Sequence, residues 1–407
     1  MKNQGDNSFF KRIFTLLFII ALMPGISGGV ELKFGGYLHN TAAYQKPQGD
    51  SFFGQEEDSF LMDIFRARFR PELKLSSNSR ITAHYEINLF AADVPPVFFN
   101  TGRTNRQAVN LNWEIASGGD YKAWHYFDML YYKHMFDFGE ITAGRQVISW
   151  GTGRVWQPMD VFLPINPANF AKIERDGSDA VSFKYYLGLF SDIEIVFNYA
   201  KSTIESGEKY YNAAARYRTN FKEFDLSLMS GFFENDKMHF GGGFTGNLYD
   251  AGIRGEVLYT RAMEKDDSAL IPDVLKSRDD LRFIIGIDNQ FTSKLYGLAE
   301  YQFNGPGADD KKNYVYLFPR LVEGELQNVG VHYIALQANL QAHPLVGLSA
   351  MNISNLGDRS GFFMLNGDYN MYSDLNISAG IMLIYGSPGS EYSYYPHAAF
   401  LQANYYF

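Results

Sequence analysis

Cysteine is absent from all 407 residues. That excludes a disulfide-stapled scaffold, a thiol nucleophile, thiolate metal sites, covalent haem attachment and a lipidated N-terminal cysteine. Long apolar runs are nearly as scarce. Beyond the N-terminal segment the longest, Ile377 to Tyr385, is short and interrupted by Ser378 and Gly380, well under the roughly 20 residues of a membrane-crossing helix. Positive charge is also in deficit: 36 Lys and Arg stand against 45 Asp and Glu, a formal net charge of −9, which argues against nucleic acid as a partner. No Gly-x-Ser-x-Gly, His-Glu-x-x-His or EF-hand spacing occurs, and the eight His are scattered. Catalysis, a metal and a cofactor are therefore not expected.

The N-terminus has the layout of a cleaved signal peptide. Lys2, Lys11 and Arg12 precede an apolar stretch from Ile13 to Leu22, and Pro24, Gly25, Ser27, Gly28 and Gly29 supply small residues for cleavage. The stretch is too short for a spanning anchor. Residues 1–28 are thus expected to be removed, with cleavage between Ser27 and Val30, leaving 29–407 as one exported domain.

What is abundant is aromatic. Tyr and Phe number 28 and 35, Gly adds 38, and mean hydropathy is still −0.22. That combination suits strands with one face in lipid and the other in water. Alternation with period two runs along the whole chain. In Arg80–Leu89, for example, Arg80, Thr82, His84, Glu86 and Asn88 share one face and Ile81, Ala83, Tyr85, Ile87 and Leu89 the other. Eighteen such segments start near residues 32, 60, 79, 124, 139, 179, 190, 210, 222, 237, 249, 280, 294, 330, 345, 360, 374 and 396. Connections after even-numbered segments are short and those after odd-numbered ones mostly long, the largest being 92–123, 148–178 and 305–329. The expectation is an all-β fold: a transmembrane antiparallel β-barrel of about 18 strands, within 16–18, with short periplasmic turns and long extracellular loops.

The last segment sharpens that expectation. Phe407 ends the chain, with Tyr405, Ala403, Leu401 and Ala399 alternating behind it. This resembles the terminal-strand signature recognised by the outer-membrane barrel assembly machinery, which makes Tyr405 and Phe407 the candidate assembly signal. Gly144-Arg145-Gln146, then Trp150-Gly151, Asp160 and Asn166-Pro167, resembles a pattern in uncharacterised proteobacterial outer-membrane barrels and some porins. The resemblance implies a structured loop after that strand and does not name a solute. Arg145 and Lys133 both fall on the wrong face of a simple alternation; a bulge at Gly144 would reset the first.

If apolar faces meet lipid, polar faces line a lumen. Arg66, Arg68 and Arg70 alternate with Phe65, Ala67 and Phe69. Facing hydrocarbon, each Arg would cost about 2–4 kcal/mol near the midplane, so the row is expected to point inward. Glu72 and Glu86 are candidate counter-charges, and Arg216 and Arg218 repeat the device. Lys184, Arg254 and Arg282 are further inward cations, with Asp128, Asp192, Glu194, Asp225, Glu256, Asp288 and Glu300 as inward carboxylates. The bland alternative is a salt-bridged wall that merely fills a polar interior. Segment 148–178 is too apolar for a loop wholly in water, with Trp150, Trp156, Val161 and Phe162. It is the candidate constriction, its charges being Arg154, Asp160, Glu174 and Asp176; capping the rim or touching a neighbouring subunit is the alternative.

The functional expectation is an outer-membrane porin for passive diffusion of small hydrophilic or charged solutes. Its partners would be outer-membrane lipid, the assembly machinery and the solutes, with association between copies left open. The alternatives are a barrel sheath around a multihaem electron-transfer protein and, behind it, an outer-membrane hydrolase.

Overall fold

The computed structural model describes residues 30–48, 59–93, 104–162, 174–201, 208–264, 274, 276–322 and 324–407. The expected signal peptide, 1–28, lies outside the described residues.

Along the chain β1 (Glu31–Lys33) and β2 (Gly36–Lys46) form one stave, and β3 (Phe60–Phe69) and β4 (Glu72–Lys74) form the next. Register runs unbroken across both interruptions, since Gly36 faces Phe69 and Lys33 faces Glu72. β5 (Ser79–Ala92) follows, and β6 (Asn112–Ser117) is a short strand beside β7 (Tyr121–Phe136). The wall continues through β8 (Gly139–Gln146), β9 (Ser178–Tyr186), β10 (Asp192–Lys201), β11 (Lys209–Phe221), β12 (Phe224–Phe233) and β13 (Lys237–Leu248). It is completed by β14 (Ala251–Ala262), β15 (Asp280–Gln290), β16 (Leu295–Asn304), β17 (His332–His343), β18 (Val346–Asn355), β19 (Ser360–Tyr372), β20 (Leu375–Tyr385) and β21 (His397–Tyr406).

Each stave pairs antiparallel with its neighbours, and β21 returns to β2, from Tyr37 opposite Tyr406 to Lys46 opposite His397. The result is a closed barrel of 18 staves, each paired on both sides. Among the described residues no helix is long and apolar enough to cross a membrane.

Alternation sorts the side chains as the sequence suggests. On β10, Asp192 and Asn198 are buried inward, while Ile195, Phe197 and Tyr199 are exposed on the outside. A continuous outer surface of this kind exceeds the few hundred Å² of apolar patch that soluble proteins show. Exposed aromatics collect at both its ends. Phe138, Tyr185, Phe221, Tyr249, Phe291, Tyr372 and Tyr405 lie at the short-turn rim, and Tyr44, Tyr121, Tyr199, Tyr211, Tyr259 and Tyr385 at the other. β20 reaches from one girdle to the other in 11 residues, about 33 Å of strand, or about 25 Å of height once tilted.

One of the two sequence misfits comes from a local bulge, and the bulge expected at Gly144 is absent, since register runs unbroken from Ala143 through Arg145 against both neighbouring strands. In β7, His84 faces Met129 but Tyr85 faces Phe127, so Asp128 is an extra residue. It turns Lys133 inward, where its Nζ lies 2.7 Å from Glu140. In β8, Gly144 has φ +123°, a conformation that costs other residues dearly. Arg145 faces outward opposite Asp179 and is nonetheless buried. It pairs with Asp179 at 2.7 Å and donates to the carbonyls of Phe127 and Val109, so the 104–111 stretch covers it.

Candidate functional site

The wall is low at one place. β7 has 16 residues, but β8 has 8 and β9 has 9. The chain therefore leaves the sheet at Gln146 part-way up the wall and rejoins it at Ser178. Between them, residues 147–162 touch inward side chains of strands far around the barrel.

The contacts are of two kinds. Glu256 on β14 accepts the backbone N–H groups of Thr152, Gly153 (2.6 Å) and Met159 (3.0 Å). Glu300 on β16 accepts those of Arg154 (2.9 Å), Val155 (3.0 Å) and Trp156 (2.8 Å). Each carboxylate, buried to 3% and 1% exposure, thus satisfies amides that have no secondary-structure partner. Such charge-assisted bonds are worth about 1.5–3 kcal/mol each.

The second kind is apolar. Trp156 is fully buried among Ile284, Tyr333, Ala335, Ile353 and Phe362, from β15 and β17 to β19. Trp150, Met159, Val161 and Phe162 pack on Val196, Ala214, Met229 and Leu258, from β10, β11, β12 and β14. Inward Val196, Ala214, Met229 and Leu258 thus give the segment an apolar seat beside the polar hold of Glu256. Gly153 must be glycine, because a Cβ there would stand 1.8 Å from the Trp156 carbonyl oxygen and 2.5 Å from Ile284. Asp160 closes the fold of the segment upon itself. It accepts from Trp150 N (2.5 Å), Gly151 N (2.9 Å) and the Arg175 guanidinium (2.6 Å).

The arginine row of β3 lies inward on the side away from this seat. Arg68 has no exposed side-chain surface and pairs with Glu86 at 2.8 Å and with Asp128. Arg66 is 15% exposed, its Nε 3.9 Å from Glu86. Arg70 is 36% exposed and pairs with Glu174 while stacking over Tyr37. Glu72 does not join them; it pairs with Arg80 at 3.6 Å. Arg216 and Arg218 form a second group with Glu194 and Asp192, at 2.8 Å and 2.7 Å, and Arg216 also lies over the Trp150 ring. Arg154 is exposed on the segment and Asp176 is buried. Tyr405 faces outward on β21. Phe407 exchanges backbone hydrogen bonds with Gly36 and its ring lies against Phe34 and Phe69.

The roles of Glu256 and Glu300 were not legible in sequence beyond their inward parity. Asp128 as the partner of Arg68 also escaped it. A third group joins the long-loop rim: Arg106 pairs with Glu234 at 2.8 Å, Lys237 bridges Glu234 and Glu325 at 2.6 and 2.9 Å, and Arg320 holds Glu325 at 2.7 Å. Burial alone would push Glu234 and Glu325 up; instead the adjoining Lys237, with Arg106 on one and Arg320 on the other, holds both carboxyls below the usual range. Three connections far apart in sequence thus meet in one ionic cluster.

No protein-family profile and no curated protein matches the chain. Among solved structures it is similar to a triple mutant of the Rhodopseudomonas blastica porin, with 10% identity over 93% of this chain and 100% of that one, at a TM-score of 0.49. A double mutant of the same porin aligns with the same coverage and identity at 0.48.

Proposed function

We propose that the chain is an outer-membrane porin through which small hydrophilic or charged solutes diffuse passively, and that residues 148–178 form its constriction. The observation that carries this reading is the pair of inward carboxylates, Glu256 and Glu300, each receiving three backbone N–H groups from residues 152–159. A segment held to the wall so far from its own strands narrows the bore without closing the sheet. The outer apolar band and its two aromatic girdles support insertion in lipid. The partly exposed Arg66, Arg70, Arg154 and Arg218 would give the passage its charge preference, while Arg68 and Arg216 stiffen the wall.

On this reading lipid and the barrel assembly machinery are the partners, and transport uses no covalent chemistry. A threaded haem protein would have to pass where the segment lies, which disfavours the sheath. The test is swelling of lipid vesicles containing the purified protein in isosmotic sugars of rising size. Swelling that falls steeply with solute size supports a constricted pore. Vesicles that swell in none of them contradict it.

A further inference from the structure

The inner wall changes character around the barrel. On β8 to β11 its charges hold one another, Lys184 and Glu140 at 3.5 Å, Arg216 and Glu194 at 2.8 Å, Arg218 and Asp192 at 2.7 Å. On β17 to β21 the inward positions of the short-turn half are mostly amides and hydroxyls. Asn339, Ser349 and Asn366 stand abreast on β17, β18 and β19, and Asn370, Asn376 and Asn404 abreast on β19, β20 and β21. Among the described residues Asp368 is the single charge at an inward position of these five strands. It already accepts from Asn366 at 2.9 Å.

Several of these amides keep hydrogen-bonding capacity that the wall does not use. Gln402 is half-buried and has no partner at either end of its amide among the described residues. Asn339 accepts from Gln337 Nε2 at 3.2 Å, which leaves Asn339 Nδ2 and Gln337 Oε1 free. Asn404 Oδ1 lies 2.6 Å from His39 Nδ1, and Asn404 Nδ2 is free.

One step toward the long-loop rim the wall turns apolar. Met351, Met364 and Met382 stand abreast on β18, β19 and β20 and belong to the cluster that seats Trp156. The first two are half-buried. The amide wall therefore begins where the apolar seat of the inserted segment ends. Neutral amides offer donors and acceptors together, as hydroxyls do, and thioethers offer a soft apolar surface. An ion finds one counter-charge here, and that one is engaged. Water satisfies amides but gains nothing from the methionines. A sugar has hydroxyls on its edge for the first and C–H groups on its face for the second.

We propose that this wall is a binding track for neutral saccharides, which set their hydroxyls on Asn339, Gln402 and Asn404 and their C–H faces on the methionine row. From β17 to β21 is four strand spacings, about 19 Å along the wall, so the ligand is an oligosaccharide rather than a single ring. The inference rests on the porin reading for the solute's access to the wall.

Maltotriose is the probe. Added to channels of the full mature protein in planar bilayers, it should lower the current along a saturating curve. A poly(ethylene glycol) of matching size, which has no hydroxyls along its chain, should lower it only in proportion to concentration. The Asn339→Ala, Gln402→Ala double variant, compared with its own sugar-free steps, should raise the half-blocking concentration about tenfold. Heat-modifiable migration on gels reports that the barrel has formed. If the double variant does not assemble, Gln402→Ala, which breaks no contact of the wall, should shift the curve about threefold in the same direction. Normal steps with a proportional decline in both solutes, or with a block the variants do not move, would overturn the track and leave the porin reading standing. If inserted protein gives no steps, the porin reading fails by itself. Saturation-transfer NMR with maltotriose in a polyoxyethylene detergent then reads the wall directly: transfer lost in the variants supports the track, and its absence from the unaltered protein overturns it.

Discussion

Glu300 Oε1 lies 2.8 Å from the backbone nitrogen of Trp156, a residue 144 positions earlier in the chain. The carboxylate comes from the wall and the amide from the segment that leaves the wall at Gln146. Together with Glu256 it holds a stretch whose amides have no strand to pair with. Glutamine at either place keeps one acceptor oxygen and sets an N–H donor against amides. The E256Q, E300Q double variant should therefore free the segment while the barrel still forms. Trypsin added outside intact cells should then cut at Arg154, and the unaltered protein should resist it. Unchanged resistance in the double variant means the apolar seat alone is sufficient.

Trp156 is that seat's largest contact, fully buried with its ring 6.0 Å from Tyr333. Trp156→Ala should cost about 3–5 kcal/mol, the usual penalty for emptying such a site. Urea unfolding followed by loss of heat-modifiable migration is the measurement. A midpoint within error of the unaltered protein is the contrary result.

The β3 arginines should separate by burial. Removing Arg68 leaves Asp128 buried without its counter-charge and Glu86 with Arg66 alone at 3.9 Å, a loss of about 3–5 kcal/mol, and Arg68→Ala should assemble poorly. Arg66 and Arg70 keep exposed surface. Their joint replacement by Ala should leave assembly intact and shift zero-current potentials in a salt gradient toward cations. The shift should be largest at low salt, where screening is weakest. If R68A assembles normally and R66A, R70A leaves ion preference untouched, the row is lining and nothing more.

Glu391 supplies a pH dependence. It lies in the 386–396 connection and is wholly buried, which pushes its carboxyl up to about 7 although Tyr333, the Val329 N–H and Asn355 donate to it. The folded connections therefore hold a proton that an opened state releases near the ordinary carboxyl value. Their stability is full below that ordinary value. It falls as pH rises toward 7, by up to about 1.4 kcal/mol per pH unit, and levels off above. Hydrogen exchange of residues 324–331 and 386–396 should accelerate from pH 5 to 7.5 beyond the intrinsic trend. Glu391→Gln, a mimic of the protonated acid, should flatten that dependence.

Much of the barrel was legible because an apolar outer face and a polar inner one impose period two on every strand. Segments expected near 60, 79, 139, 237, 280 and 360 begin there in the structure. The misreading of face at Lys133 follows from a single residue, Asp128, that shifts parity without changing composition; Arg145 does face outward, and what the sequence hid is that Asp179 and the 104–111 stretch cover it there. The candidate site was legible only in outline. Trp150 and Trp156 showed that 148–178 needed burial, but nothing local couples Thr152 to Glu256, which lies 104 residues on. Parity gives the face a carboxylate points to; only closure of the sheet decides what meets it there.

Single-channel conductance in planar bilayers, unaltered protein against the E256Q, E300Q double variant, tests the central claim most directly. The account predicts discrete ohmic steps for the unaltered chain and larger, noisier steps once the segment is free. Equal step sizes, or silence from both proteins in bilayers where they have inserted, would contradict it.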